Sequence, residues 1–155
     1  MRGAHWACSA VEPNLAIAVD VTYATDYPGA DPHTTGDVKL GGGPVLCLSS
    51  IVNAKANALL EACAADHNIP VQKEIAVGRT GTDADKMHFA NKGYPTALVS
   101  LPLRYMHSPS EVCHLDDIQN AIELLARFLC TISGDTDLNP FGIRLLSLDL
   151  FPNME

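Results

Sequence analysis

The sequence is short of charge, of long apolar runs and of paired cysteines, and each shortage removes a class of protein. Only 18% of the 155 residues are charged against 47% hydrophobic, so the chain is globular rather than disordered and can bury a substantial core. No stretch approaches the roughly 20 apolar residues that a membrane-spanning helix requires, and residues 1–14 contain no apolar run of the kind a secretory leader needs. A soluble, unexported, cytoplasmic protein with no membrane partner is expected. The five cysteines (Cys8, Cys47, Cys63, Cys113, Cys130) form an odd count without a C-x-x-C pair, which argues against a disulfide framework or a zinc knuckle. Ten Lys and Arg against eighteen Asp and Glu give a net charge of −8, and the cations are scattered, so nucleic acid is not an expected partner. The three glycines at 41–43 are followed by neither GK[ST] nor a GxGxxG pattern, which excludes a phosphate-binding loop.

What is present alternates between two periodicities. The apolar run 15–22, bounded by Pro13 and by the turn-rich stretch 24–37, predicts a buried strand followed by a long loop holding Asp26, Asp31, His33 and Asp37. Glycines 41–43 introduce a short strand over 45–48. Residues 53–67 place Ala, Leu and Glu at helical spacing, with Ser49 or Ser50 as cap. Residues 71–77 alternate as a half-buried strand does, and Thr82 or Asp83 caps a short helix ending near Gly93. A further strand over 95–103 leads through a loop to a long amphipathic helix over 116–130, with acidic residues at its start as the helix dipole favours. Strands alternating with helices indicate an α/β layered sheet. From residue 133 onward, turn residues surround one apolar patch at 143–151, and no element is assigned there.

Few residues in this pattern carry chemistry. Asp20 lies inside an apolar run, where a carboxylate must be paired, protonated or bound to a cation. A salt bridge or a strand end is the plainer reading. His107 sits in RYMHSP (104–109), a short turn directly after the strand PTALVSLPL; an imidazole there can ligate a metal, and a surface or capping histidine is the plainer alternative. His5, His33, His67, His88 and His114 lack HExxH or HxxEH spacing. Asp85 and His88, three apart on the short helix, share a face, with solvation or capping as the plainer reading. Cys113 and His114 are adjacent, and neighbours on an extended segment point to opposite sides, which makes a poor catalytic dyad. The GTDA turn (81–84) reads as a helix start with Asp83 as cap, and Arg104 as an ion-pair residue.

The order of these motifs, an apolar strand bearing Asp20, then GTDA, then RYMHSP, resembles the C-terminal part of the M42 family of dinuclear-metal aminopeptidases, the group of glutamyl aminopeptidases and proteins labelled endoglucanase M. The resemblance runs from about residue 2 to 129, and RGA at 2–4 resembles the stretch that follows the family's Glu-Glu pair. It implies a three-layer α/β/α zinc-peptidase-like domain, incomplete at its N-terminal side, over residues 1–132, with 133–155 as a tail. It implies Asp20 and His107 as ligands to different ions of a two-metal site, Zn, Co or Mn, completed by an Asp, a His and a Glu that this sequence does not supply. By the same resemblance the GTDA turn lines the substrate cleft, where Thr82 and Asp83 contact the bound peptide or support the metal shell; Arg104, beside a metal site, is placed to hold a substrate carbonyl or carboxylate instead of serving only as an ion-pair residue. No Glu-Glu pair occurs anywhere in the sequence, so the general base is missing. The implied function is metal-dependent release of N-terminal residues from peptides, by a chain inactive alone that forms a homo-oligomer or meets a partner polypeptide supplying the missing half. The alternative is a non-catalytic remnant that serves as an assembly or regulatory partner of a complete enzyme.

Overall fold

A computed structural model describes residues 1–31, 33 and 36–140. In chain order the elements are α1 (Arg2–Val11), β1 (Ala16–Tyr23), β2 (Val45–Ser49), α2 (Ala54–Asp66), β3 (Gln72–Ala76), α3 (Ala84–Met87), β4 (Thr96–Leu103) and α4 (Leu115–Thr131). The four strands form one sheet in the order β1-β4-β2-β3. Strand β4 runs parallel to β1, β2 parallel to β3, and the two pairs meet antiparallel where Val45 faces Ser100 and Leu46 faces Val99. Seven of the eight β4 residues are buried, which is why PTALVSLPL reads as a continuous apolar run: a central strand covered on both faces has no reason to alternate. Pro102 lies past the last β2 pair, where no ladder bond on that side is lost to its missing N–H.

Layers form because successive strand residues face opposite ways. On one face Leu46, Ala97 and Val99 pack with Ala56, Leu60 and Cys63 of α2 and with Leu124 and Phe128 of α4. On the other, Ala18, Cys47 and Leu98 meet Ala84 of α3, and Ala16 meets Cys8 of α1 with Tyr94. The sheet between two helical layers is the α/β/α arrangement expected. Helix α1 was not anticipated by any strand or helix assignment; its amphipathic pattern buries Cys8 and leaves Trp6 and Val11 in solvent.

Several local expectations are corrected. Asn53, not Ser49 or Ser50, caps α2, its side chain accepting from the Ala56 amide. Helix α3 ends at Met87 rather than near Gly93, and Asp83 makes no side-chain cap bond. The acidic start of α4 does more than meet a helix dipole. Asp117 is fully buried, and its carboxylate accepts from the amides of Gly41 (2.8 Å) and Gly43 (2.7 Å). The triple-glycine loop thus wraps a carboxylate of its own chain. Gly43 requires glycine twice over: φ is +92°, and a Cβ would lie 2.0 Å from the Pro70 carbonyl oxygen. Leu138 packs against the α2–α4 core, and Asn53 donates to its carbonyl. The apolar patch at 143–151, with the rest of the tail beyond residue 140, lies outside the described residues.

Removing the Asp117 carboxylate leaves the buried Gly43 amide without its partner and takes the acceptor from the more exposed Gly41 amide. Asp117→Ala is expected to lower folding stability by about 3 kcal/mol, and Asp117→Asn, which keeps one acceptor, by about half of that. Gly43→Ala should cost at least about 2 kcal/mol through backbone strain alone. Urea midpoints within error of the parent for Asp117→Ala would show that the loop is held by something else.

Candidate metal and substrate site

Because β1 and β4 are parallel and in register from Ala16 opposite Thr96 to Tyr23 opposite Leu103, both end at the same rim of the sheet. The RYMHSP turn leaves β4 at that rim, and this brings His107 beside the strand that carries Asp20. Asp20 is half-buried, and its Oδ1 accepts from the Val21 amide at 2.8 Å. Opposite it on β4 stands Ser100, 1% exposed, whose Oγ has no hydrogen-bond partner among the described residues. Further along the same face, the Thr22 hydroxyl donates to the Glu74 carboxylate of β3. Two polar groups in this row, the Asp20 carboxylate and the Ser100 hydroxyl, therefore have spare hydrogen-bonding capacity.

The turn itself is shaped by backbone conformation. Tyr105 (φ +59°) and His107 (φ +65°) both occupy the left-handed region, unusual for residues with a Cβ. Paired bonds between Arg104 and Val112 close its base, and the His107 amide donates to Glu111 Oε1 at 2.6 Å. The imidazole is exposed, with Nδ1 3.4 Å from the Tyr23 hydroxyl and the two rings edge to face at 86°.

Arg104 joins this turn to the loop after β1. Its Nε donates to Asp26 Oδ1 (2.9 Å) and its Nη2 to Oδ2 (2.8 Å), a bidentate pair, with a further bond to the Asp26 carbonyl. The Leu40 amide also donates to Asp26 Oδ2. The Arg104 bond above all holds the Asp26 carboxyl below its usual value near 3.8, against the opposing effect of burial. Asp26 was legible only as one of several loop acids; its role depends on meeting Arg104.

The GTDA turn is built around a residue just past it. Asp85 is buried and accepts from the Thr80 amide and hydroxyl and from the Gly81 amide. Burial raises its carboxyl, but these donors outweigh burial and the net shift is downward. Of the two readings of Asp85, neither a meeting with His88 nor helix-face solvation describes it: it is buried on the Thr80 and Gly81 donors, and His88 lies edge-on to Phe89. Thr82 is buried, sharing a hydrogen bond with Thr80 and accepting from the Ala84 amide, and Asp83 lies 3.1 Å from the amino group of Met1. A cleft of about 240 Å³ beside the turn is lined by Ile51, Arg79, Gly81 and Asp85 among others. His33 is exposed, its amide on Asp31. A cavity of about 660 Å³ lies at the opposite rim, against Tyr94 and Thr96, away from Asp20 and His107.

The donor chemistry of Asp20 and His107, one carboxylate and one imidazole, suits a divalent ion. Among the described residues, however, no group of three or more His, Cys, Asp or Glu is placed to hold a metal ion. Two donors are a partial set.

Folded-state Asp26 titrates below its unfolded value, so it contributes stability that is present above about pH 4 and lost as pH falls through the folded-state value. Asp26→Asn should lower Tm at neutral pH by about 2–4 °C, with the two proteins converging in acid. Parallel Tm-against-pH curves would contradict the assigned role.

Comparison with known proteins gives this arrangement a context. Residues 1–124 match the family model described as M42 glutamyl aminopeptidase. The chain is 37% identical over 131 residues to the lysyl aminopeptidase of Pyrococcus furiosus, covering 83% of this chain and 36% of that protein. It superposes with a TM-score of 0.78 and 30% identity on the TET aminopeptidase of Thaumarchaeota archaeon SCGC AB-539-E09, covering 85% of this chain and 37% of that one. Pyrococcus horikoshii TET1 peptidase, which can assemble into a tetrahedron or a large octahedral shell, matches with a TM-score of 0.63 and 30% identity over 81% of this chain and 36% of its own. The chain spans less than two fifths of the length of these relatives. With the family model matching well over half of its residues, the chain belongs to the M42 glutamyl aminopeptidase family.

Proposed function

We propose that the chain contributes one side of an M42-type aminopeptidase site, with Asp20 and His107 as two of its metal ligands. The observation that carries the reading is the shared rim: parallel β1 and β4 end together, and the turn bearing His107 lies against the strand bearing Asp20. Such sites in open α/β sheets lie at the carboxyl ends of strands. When bound, divalent ions there polarise a peptide carbonyl and acidify a water. The residues of this chain orient them: Asp20 supplies oxygen from a rigid strand, and His107 supplies nitrogen from a turn fixed by Arg104 and Glu111. Thr82, Asp83 and Arg104 are assigned to the substrate side, Thr82 and Asp83 at the turn that Asp85 holds in shape and Arg104 at the base of the RYMHSP turn, which its pair with Asp26 positions. The remaining ligands and the general base are assigned to sequence outside this chain, and the metal to Zn, Co or Mn. A peptide substrate, assembly with further copies or with a completing polypeptide, and a cytoplasmic setting belong to the same reading; no helix among the described residues is long and apolar enough to cross a membrane.

A second reading is a non-catalytic assembly or regulatory partner of a complete enzyme, and what favours it is that Asp20 and His107 are not joined by a third donor among the described residues. The two separate in a complementation assay. The chain is mixed with the amino-terminal part of the lysyl aminopeptidase, and release of N-terminal residues from short peptides is followed with metal content by plasma mass spectrometry. The first reading expects activity on mixing, lost at least 100-fold with Asp20→Ala or His107→Ala together with bound metal. Activity and metal that survive both substitutions would refute the ligand assignment, and silence in every mixture would favour the second reading.

A further inference from the structure

We propose that Tyr23 is a positioning residue that sets the tautomer and orientation of His107. The inference rests on the reading of His107 as a ligand and deepens it. Tyr23 is the last residue of β1, three past Asp20, and β1 continues to follow β4 at this point: the Ala24 amide donates to the Leu103 carbonyl at 2.8 Å. The tyrosine is therefore placed by ladder geometry, not by a flexible loop. Its hydroxyl lies 3.4 Å from Nδ1 of His107, and its ring meets the imidazole edge to face with centroids 6.3 Å apart.

The chemistry of a ligand histidine explains why that contact matters. A neutral imidazole carries one N–H and one lone pair, and a metal takes the lone pair. With Nδ1 turned to Tyr23, Nε2 is the nitrogen left to face a cation, so the proton belongs on Nδ1 and the phenol oxygen accepts it. Ligand histidines use their second nitrogen in this way, on a carboxylate, a carbonyl or a water; here a tyrosine hydroxyl takes the place. A distance of 3.4 Å is long for such a bond. That is the geometry expected before ligation, because coordination at Nε2 draws electron density from the ring and makes Nδ1–H a stronger donor, which shortens the contact. His107 needs the help: it is exposed, sits in a left-handed conformation, and its bond to Glu111 is made by the backbone, which leaves the ring free to rotate. One strand then carries both a ligand, Asp20, and the group that orients the other ligand.

Tyr23→Phe tests this, since it keeps the ring contact and removes only the hydroxyl. The full 155-residue chain is labelled with nitrogen-15, and the imidazole nitrogens of His107 are observed above neutral pH, without metal and during titration with Zn²⁺. The parent protein is expected to show the Nδ1–H form, with Zn²⁺ perturbing Nε2. In Tyr23→Phe the Nε2–H form, which free imidazoles prefer, should return, and the Zn²⁺ affinity read at His107 should fall about tenfold, with unfolding unchanged. Identical tautomer populations and identical affinity in Tyr23→Phe would overturn the proposal. His107→Ala separates the two levels of inference. If, in the mixture with the amino-terminal part of the lysyl aminopeptidase that supplies the remaining ligands, overall Zn²⁺ binding is the same with and without the imidazole, the ligand reading itself fails. If it is lost in His107→Ala but unchanged in Tyr23→Phe, only the role of Tyr23 fails.

Discussion

The bidentate pair between Arg104 and Asp26 turns two distant segments into one site. Parallel pairing brings the ends of β1 and β4 to a common rim, but beyond the bond from the Ala24 amide to the Leu103 carbonyl the two segments part, the Thr25 amide turning to Val38 and the Arg104 backbone to Val112. Arg104 spans that gap with two charge-assisted bonds, and Asp26 passes the constraint on through the Leu40 amide to the glycine loop. Tyr105 and His107 can keep their left-handed conformations only because the surrounding contacts over-determine the turn. The placement of His107 relative to Asp20 is a consequence of this ion pair and of strand register together.

Buried or half-buried carboxylates recur as the means of shaping loops in this chain. Asp117 gathers two glycine amides, Asp85 gathers the Thr80 and Gly81 amides, and Asp26 takes the Leu40 amide with the guanidinium. In each case the carboxylate satisfies backbone N–H donors that loops would otherwise leave unpaired, and for Asp26 and Asp85 the bonds they accept hold the carboxyl below its usual range. Asp20 is the exception. It accepts only from the next residue's amide among the described residues, faces an unpartnered serine hydroxyl, and so retains the lone pairs that a cation would use.

Among the described residues the sheet has two open edges, β1 on one side and β3 on the other. Val19 and Tyr23 on β1 and Ile75 on β3 are more than half exposed, an apolar share of surface that a closed sheet would cover. These edges belong to a chain that spans under two fifths of its relatives, in which the same sheet is part of a longer polypeptide.

Strands β1, β2, β3 and β4 and helices α2 and α4 were legible in the sequence, because each is carried by a local signal: the apolar runs at 15–22 and 95–103, the alternation at 71–77, the helical spacing at 53–67 and 116–130. The motifs around Asp20, GTDA and RYMHSP were legible too, since a family resemblance rests on short contiguous stretches. Helix α1 was missed, its pattern diluted by an exposed Trp6 and Val11. The partners were not legible. Asp26 meets Arg104 across 78 residues, Asp117 meets Gly41 across 76, and Tyr23 meets His107 across 84. Local periodicity determines which residues enter a strand or helix and which face they present. Only the tertiary structure decided which loop residues meet beyond the strand ends, because that depends on the order and register of β1, β4 and β2 in the sheet, a relation between segments that no single segment encodes.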